Sequence, residues 1–299
     1  MKLTTTHRTF YYILLFTGLA SFISCQKGSE LDIPSYISID SISLSVSGDQ
    51  GTASNKIVDA WVYTDNDLEG AFELPDTFPE LKAGALQLTI LPGIKINGMA
   101  ETRAPYPFFN PIKLPVTLTH EKVTEIKNRT TTYNSKTVFA WLEDFEDPNI
   151  SIDTTSRSDV KLTRVGDPSL SSLVRGEGNS FCAKALIQSD SSIFECISHD
   201  SFVFPHTNSE TESSVFMELN YKSNCPFTVG LFIYGTQTIQ KPIVVVNPSG
   251  TWNKIYINFT PTVQQNTDAI NYRVFIGAQK EANGPNAEIF LDNIKLLHF

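Results

Sequence analysis

Basic residues are in short supply: 23 Lys and Arg stand against 32 Asp and Glu, a formal charge of −9. Nucleic acid and anionic headgroups both demand a basic face, so neither is an expected partner. Long apolar runs are missing too. The uncharged stretch 10–23 falls short of the roughly 20 residues a helix needs to cross a bilayer. Catalytic signatures are absent: there is no Gly-x-Ser-x-Gly elbow, no His-Glu-x-x-His, no phosphate loop and no Rossmann glycine pattern. His199, Asp200 and His206 fall near Glu195 and Cys196, but without the local signature of a nucleophile and its base. A glycosidase needs only two carboxylates at a set separation, and sequence does not pick a pair from so many acids. Cysteine is sparse at four, and the spacing of Cys25, Cys182, Cys196 and Cys225 matches no metal site. A Cys182–Cys196 disulfide and three small buried thiols are both open readings.

What is present is β composition. Thr, Ser, Ile, Val and Phe dominate, and 16 Gly and 16 Pro punctuate the chain. A chain of 299 residues has room for two domains, each with its own core. The expected class is all-β: a small Ig-like antiparallel sandwich followed by a larger jelly-roll β-sandwich.

The N-terminus has the layout of a secretory signal: Lys2 and Arg8, then the apolar run, then small residues. Its end, Phe22-Ile23-Ser24-Cys25, resembles a bacterial lipobox, with Phe22 where the usual motif has Leu. The resemblance implies that 1–24 is a lipoprotein signal peptide and that Cys25 becomes a lipidated N-terminus, a membrane partner reached through lipid alone. Loss of Lys2 and Arg8 with no acid takes the charge from −9 to −11. Residues 25–35 hold too little apolar surface to pack and read as a tether. The expected location is the cell envelope, lipid-anchored at an outer membrane, on its periplasmic or its outer face. In a bacterium the sequons at Asn128, Asn149 and Asn258 carry no glycosylation meaning.

The small module spans 36–125. Ile37 and Ile39, then Ile42, Leu44 and Val46, alternate with one phase slip at Asp40-Ser41 that reads as a β-bulge. Asp65-Asn66-Asp67 between apolar runs is hairpin chemistry. The order of hairpin, Gly70, Pro75 and Leu81-Lys-Ala-Gly84 resembles PEGA-type surface modules, which implies a structural role and no catalytic residue. Residues 98–111 interleave Arg103, Tyr106, Phe108 and Phe109 with prolines. That loop is either a rigid binding platform of aromatics and Arg or a plug whose rings fold back into the sandwich. The polar run 126–137 has little to bury and reads as a linker.

The second block, 138–299, holds short strand-length runs. On one of them Val215, Met217, Leu219 and Tyr221 face one way and Glu218 and Asn220 the other, as in a sheet with a wet side. Asp144-Phe145-Glu146, Gly250-Thr-Trp252 and Phe290-Leu-Asp292-Asn-Ile resemble, in order, the opening, middle and closing motifs of galactose-binding-like or carbohydrate-binding-module jelly rolls. The resemblance implies a core position for Trp252 and a structural calcium at Glu146 and Asp292, with Asp144 beside them. Calcium takes six to eight oxygens and mixes carboxylates with carbonyls; solvated strand-end carboxylates are the competing account. The expectation is a non-enzymatic, Bacteroidota-type envelope lipoprotein presenting a jelly roll to a glycan or surface component. The alternatives are an assembly lipoprotein contacting an envelope protein, and a secreted hydrolase.

Overall fold

Period-two burial organises the first ordered residues. The computed structural model describes residues 33–169, 180–205 and 213–299; the signal peptide, Cys25, most of the tether and His206 lie outside them. Along β1 (Ser35–Ile39) and β2 (Ile42–Ser45), Ile37, Ile39, Ile42 and Leu44 are all buried. The slip at Asp40-Ser41 is a change of sheet, not a bulge. β1 lies between β5 (Asp76–Glu80) and β9 (Val123–Ile126), while β2 pairs with β10 (Arg129–Thr132).

Facing them is a second sheet of β4 (Asp67–Glu73), β3 (Asp59–Thr64) and β6 (Gly84–Lys95), with β8 (Ile112–Leu118) and β7 (Arg103–Pro105) along the far edge of β6. Ile37, Ile39, Ala60, Val62, Leu88 and Ile90 form the core between the sheets. The hairpin at Asp65-Asn66 is a two-residue turn with φ of 50° and 77°, the positive values a type I′ turn requires. Two pairings depart from an antiparallel module: β1 runs parallel to β9, and β10 parallel to β2. The second of these lies in the expected linker. Residues 129–132 form a strand because Thr131 and Tyr133 have somewhere to go, being 2% and 4% exposed.

The larger sandwich packs two antiparallel sheets. One runs β13 (Thr163–Gly166), β14 (Phe181–Ile187), β21 (Ala287–His298), β16 (Val215–Ser223) and β19 (Ser249–Asn258), with β11 (Val138–Glu143) on the C-terminal half of β21. The other runs β12 (Ile152–Thr154), β15 (Ile193–Ser198), β20 (Asn271–Gln279), β17 (Phe227–Tyr234) and β18 (Thr238–Val246). A single turn of helix, α1 (Thr260–Gln265), opens on Pro261, where a missing N–H costs nothing. Val215, Met217, Leu219, Val229, Leu231 and Val274 fill the core.

A third apolar cluster joins the sandwiches. Leu44, Ile94, Tyr106, Phe108, Phe109 and Tyr133 of the small one meet Phe216, Tyr256 and Leu297 of the large one. The aromatic loop is therefore this joint and not a platform: Tyr106, Phe108 and Phe109 are 2%, 0% and 5% exposed. Tyr106 packs edge-on against Phe216 and Tyr256, with centroids 5.4 and 4.9 Å apart. Arg103 turns away from them, onto Asp59 and Glu73 of its own sandwich.

The face expected to be wet is covered as well. Segment 51–56 is strapped across β16, β19 and β21, so that Glu218 and Asn220 are 0% and 1% exposed. Glu218 Oε1 accepts from Tyr106 Oη at 3.0 Å and Tyr133 Oη at 2.9 Å, and its Oε2 lies 2.7 Å from Lys254 Nζ. Lys254 also donates to the Ser54 carbonyl (2.7 Å) and Lys295 to that of Thr52 (2.6 Å), while Ser54 Oγ donates to Asn220 Oδ1 (2.9 Å). Two buried cations and one carboxylate thus cross-link the sandwiches with most lone pairs and protons occupied, as burying charge requires.

Candidate functional site

With one broad face of the large sandwich covered, its open face is the outer side of the five-stranded sheet. Alternation decides what stands there. Phe227, Val229, Leu231 and Ile233 of β17 point into the core, which leaves Thr228, Gly230, Phe232 and Tyr234 outside. On β20 the outward set is Arg273, Phe275 and Gly277, and on β15 it is Ile193, Glu195 and Ile197. Register aligns Glu195, Gly277 and Thr228 in one row, and Phe275, Gly230 and Pro242 in the next.

Gly230 is required by a close approach. A Cβ there would stand 2.3 Å from the Lys241 carbonyl oxygen and 2.6 Å from a Phe275 ring carbon. The Phe275 ring fills the gap, with Phe232 tilted beside it at 5.4 Å. Above this floor, side chains from distant strands meet. Glu195 of β15 accepts from Gln240 Nε2 of β18 at 2.6 Å through Oε2, and from Thr155 Oγ1 at 2.9 Å through Oε1. Arg157 donates to Gln240 Oε1 at 3.0 Å and stands 3.8 Å from Glu195. β15 and β18 are separated by two strands, so a direct Glu–Gln contact means the face is curled into a trough. Beside the bridge a cavity of about 300 Å³ is lined by Arg157, Glu195, Thr228, Gln240, Phe275 and Gln279, among others.

This set offers a carboxylate, an amide, a guanidinium and a hydroxyl above an aromatic floor, the donors and acceptors that polyhydroxylated ligands need. Proton chemistry is poorly served. The second carboxylate on the face, Asp153, accepts from Arg273 at 2.8 Å and lies 3.1 Å from His199 Nδ1. The His199 hydrogen bond first, and that of Arg273 with it, hold its carboxyl below the usual range, so it stays ionised and cannot serve as a general acid. Cys196, near His199 in sequence, points into the core at 1% exposed, and burial pushes its thiol up to about 12. Cys182, Cys196 and Cys225 are all free thiols.

The residues expected to hold calcium are engaged by the chain's own hydrogen-bond donors. Glu146 Oε1 accepts the Ser180 and Phe181 amides at 2.6 and 2.8 Å, Asp144 Oδ1 accepts the Glu146 amide, and buried Asp292 is bonded by both nitrogens of Asn293. Among the described residues no three His, Cys, Asp or Glu side chains converge on one point. Trp252 is half-exposed on the outer face, 5.3 Å from Lys222 Nζ and edge-on to Phe290, and does not belong to the core. Glu195, Gln240, Arg157 and Phe275 escaped the sequence reading because they come from four separate segments. The one legible signal is Thr228-x-Gly230-x-Phe232-x-Tyr234, a glycine among outward aromatics opposite an unbroken apolar phase.

Fold and trough together define an all-β chain with one open, polar-lined sheet face. No protein-family model matches the sequence, and no curated protein matches it. Solved structures align with part of the chain at low identity. A family 11 carbohydrate-binding module from Clostridium thermocellum, in complex with a β-1,3-1,4-mixed-linked tetrasaccharide, is 13% identical over 52% of this chain and 94% of that one, with a TM-score of 0.34. TmCBM61, in complex with β-1,4-galactotriose, is 12% identical over 50% and 87%, at 0.31. The enzymatically active domain of tailspike protein 4 of bacteriophage CBA120 is 11% identical over 52%, at 0.34, and this chain spans only 20% of its length. The functional reading below is taken from this chain's own residues.

Proposed function

We propose that the chain is a lipid-anchored envelope protein, held by Cys25 at an outer membrane, whose large sandwich binds a glycan in the trough without cleaving it. The observation that carries the binding is the Glu195–Gln240–Arg157 bridge standing over the Phe275 floor. Sugar hydroxyls pair with the guanidinium, amide and carboxylate of such a bridge. The test is affinity electrophoresis of the whole mature chain through gels containing one polysaccharide each. Retardation by at least one polymer, lost in Arg157→Ala and in Glu195→Ala, supports the reading; mobility unaffected by every polymer excludes it. Lipidation has its own measurement: a radiolabelled fatty acid enters the wild type and not Cys25→Ala.

A second reading, an assembly component, is favoured by the joint. There Met99 and Val245, 50% and 61% exposed, flank a cleft of about 610 Å³ along the outer edge strand β18. Exposed β-branched edges pair readily with another chain. Cross-linking in envelopes that yields a Val245-dependent adduct, with no polysaccharide retardation, would favour this reading over the first.

A further inference from the structure

The end of the small sandwich remote from the joint carries an unexplained apolar rim. Three of the eleven large apolar side chains left exposed among the described residues lie there: Ile33 (42%), Leu81 (62%) and Val123 (54%). Pairing places them together. Ser35 sits opposite Glu80, so Leu81 borders the chain entry on one side; Tyr36 sits beside Val123, so Val123 borders it on the other. Glu121 donates its amide to the Pro34 carbonyl, and Tyr36 to that of Lys122, which fixes the 119–123 turn against the entry. Lys82 ties in the neighbouring hairpin, reaching Asp67 and Glu69 at 3.0 Å each. Single exposed apolar residues need no explanation; three bordering one chain entry do.

What lies beyond that entry identifies the occupant. Only residues 26–32 separate Ile33 from Cys25, a span of at most about 29 Å when fully extended. An anchor on Cys25 therefore keeps this rim within one tether length of the bilayer. Asp65, Asp67 and Glu121 outnumber Lys82 and Lys122 among the same turns, so the rim has no basic excess to draw it to anionic lipid and suits the headgroup boundary of a neutral leaflet.

We infer that Ile33, Leu81 and Val123 form a membrane-resting surface that seats the small sandwich on the lipid and points the large one away. This rests on the lipid-anchor reading. The experiment uses the lipidated chain in phosphatidylcholine vesicles, on a Cys225→Ser background. An environment-sensitive fluorophore is placed at Leu81→Cys, at Val123→Cys or, as a control, at Val203→Cys of the large sandwich. Blue-shifted emission and quenching by a headgroup nitroxide lipid at the first two sites, and neither at the third, is the expected result. Adding Ile33→Asp should abolish the shift while the chain still floats with the vesicles. Flotation without any shift at positions 81 and 123 overturns this inference alone. A chain that fails to float overturns the lipid anchor and this inference with it.

Discussion

Single residues set the shape of the trough and the acid limit of the fold. Gly230→Ala places a methyl where the Lys241 carbonyl and the Phe275 ring already stand, so β17 and β18 must part or the ring must tilt. Overpacking of this kind costs roughly 1–3 kcal/mol or more; a melting temperature within a degree of wild type would contradict the packing. Asp167 answers a different question. Burial works against its charge, but the hydrogen bonds from Lys222 at 2.6 Å and from Ser169 prevail and bring its carboxyl down to about 2. A depressed folded-state pKa stabilises above the unfolded value, near 3.9, and that contribution fades as pH falls towards about 2. Stability measured over that window should lose part of its slope in Asp167→Asn, and an unchanged slope would assign the acid limit elsewhere. Since the carboxylates expected to hold calcium already accept backbone and side-chain N–H groups, EDTA should leave the melting curve in place; a downward shift would reveal a cation these contacts do not accommodate.

At the scale of elements, the strand β16 carries the coupling between the sandwiches through a residue whose surroundings invert the usual expectation for Glu. Burial pushes Glu218 towards protonation, and the charges of Lys254 and Lys295 outweigh it and hold the carboxyl below its ordinary value. Glu218→Ala leaves both cations buried without it, at a cost of about 3–5 kcal/mol. Lys254→Met in the same chain should restore part of the loss, and urea midpoints that do not improve would show the cost lies in Tyr106 and Tyr133 instead. The strands themselves were legible: Val215, Met217 and Leu219 face the core as their alternation predicts, and Asp65-Asn66 makes the hairpin. What Glu218 faces was not. Alternation separates two faces of a strand but does not say that segment 51–56, more than 160 residues away in sequence, will lie on the second one. The same limit hid the trough, where Glu195 and Gln240 meet across two intervening strands, and left the 98–111 loop open between a platform and a plug, without showing that its rings fill a joint with the other sandwich.

The whole molecule follows from that joint. Nine buried side chains, drawn from both sandwiches, form the shared apolar cluster, and the buried Glu218 network sits beside it. Interfaces between domains in one chain are commonly more polar and leave relative motion open; here rings of Tyr106 and Phe108 interlock with Phe216 and Phe299. Neither sandwich can then unfold without uncovering apolar and charged surface on the other. Calorimetry of the mature chain should accordingly show one transition whose calorimetric and van't Hoff enthalpies agree. A fragment starting at residue 138 would expose Phe216, Tyr256 and Leu297 together with Lys254 and Lys295, and it should melt below the intact chain and associate at high concentration. Two resolved transitions in the intact chain, the upper one coinciding with that fragment, would mean that the sandwiches fold independently, and the small one could then tilt without disturbing the trough.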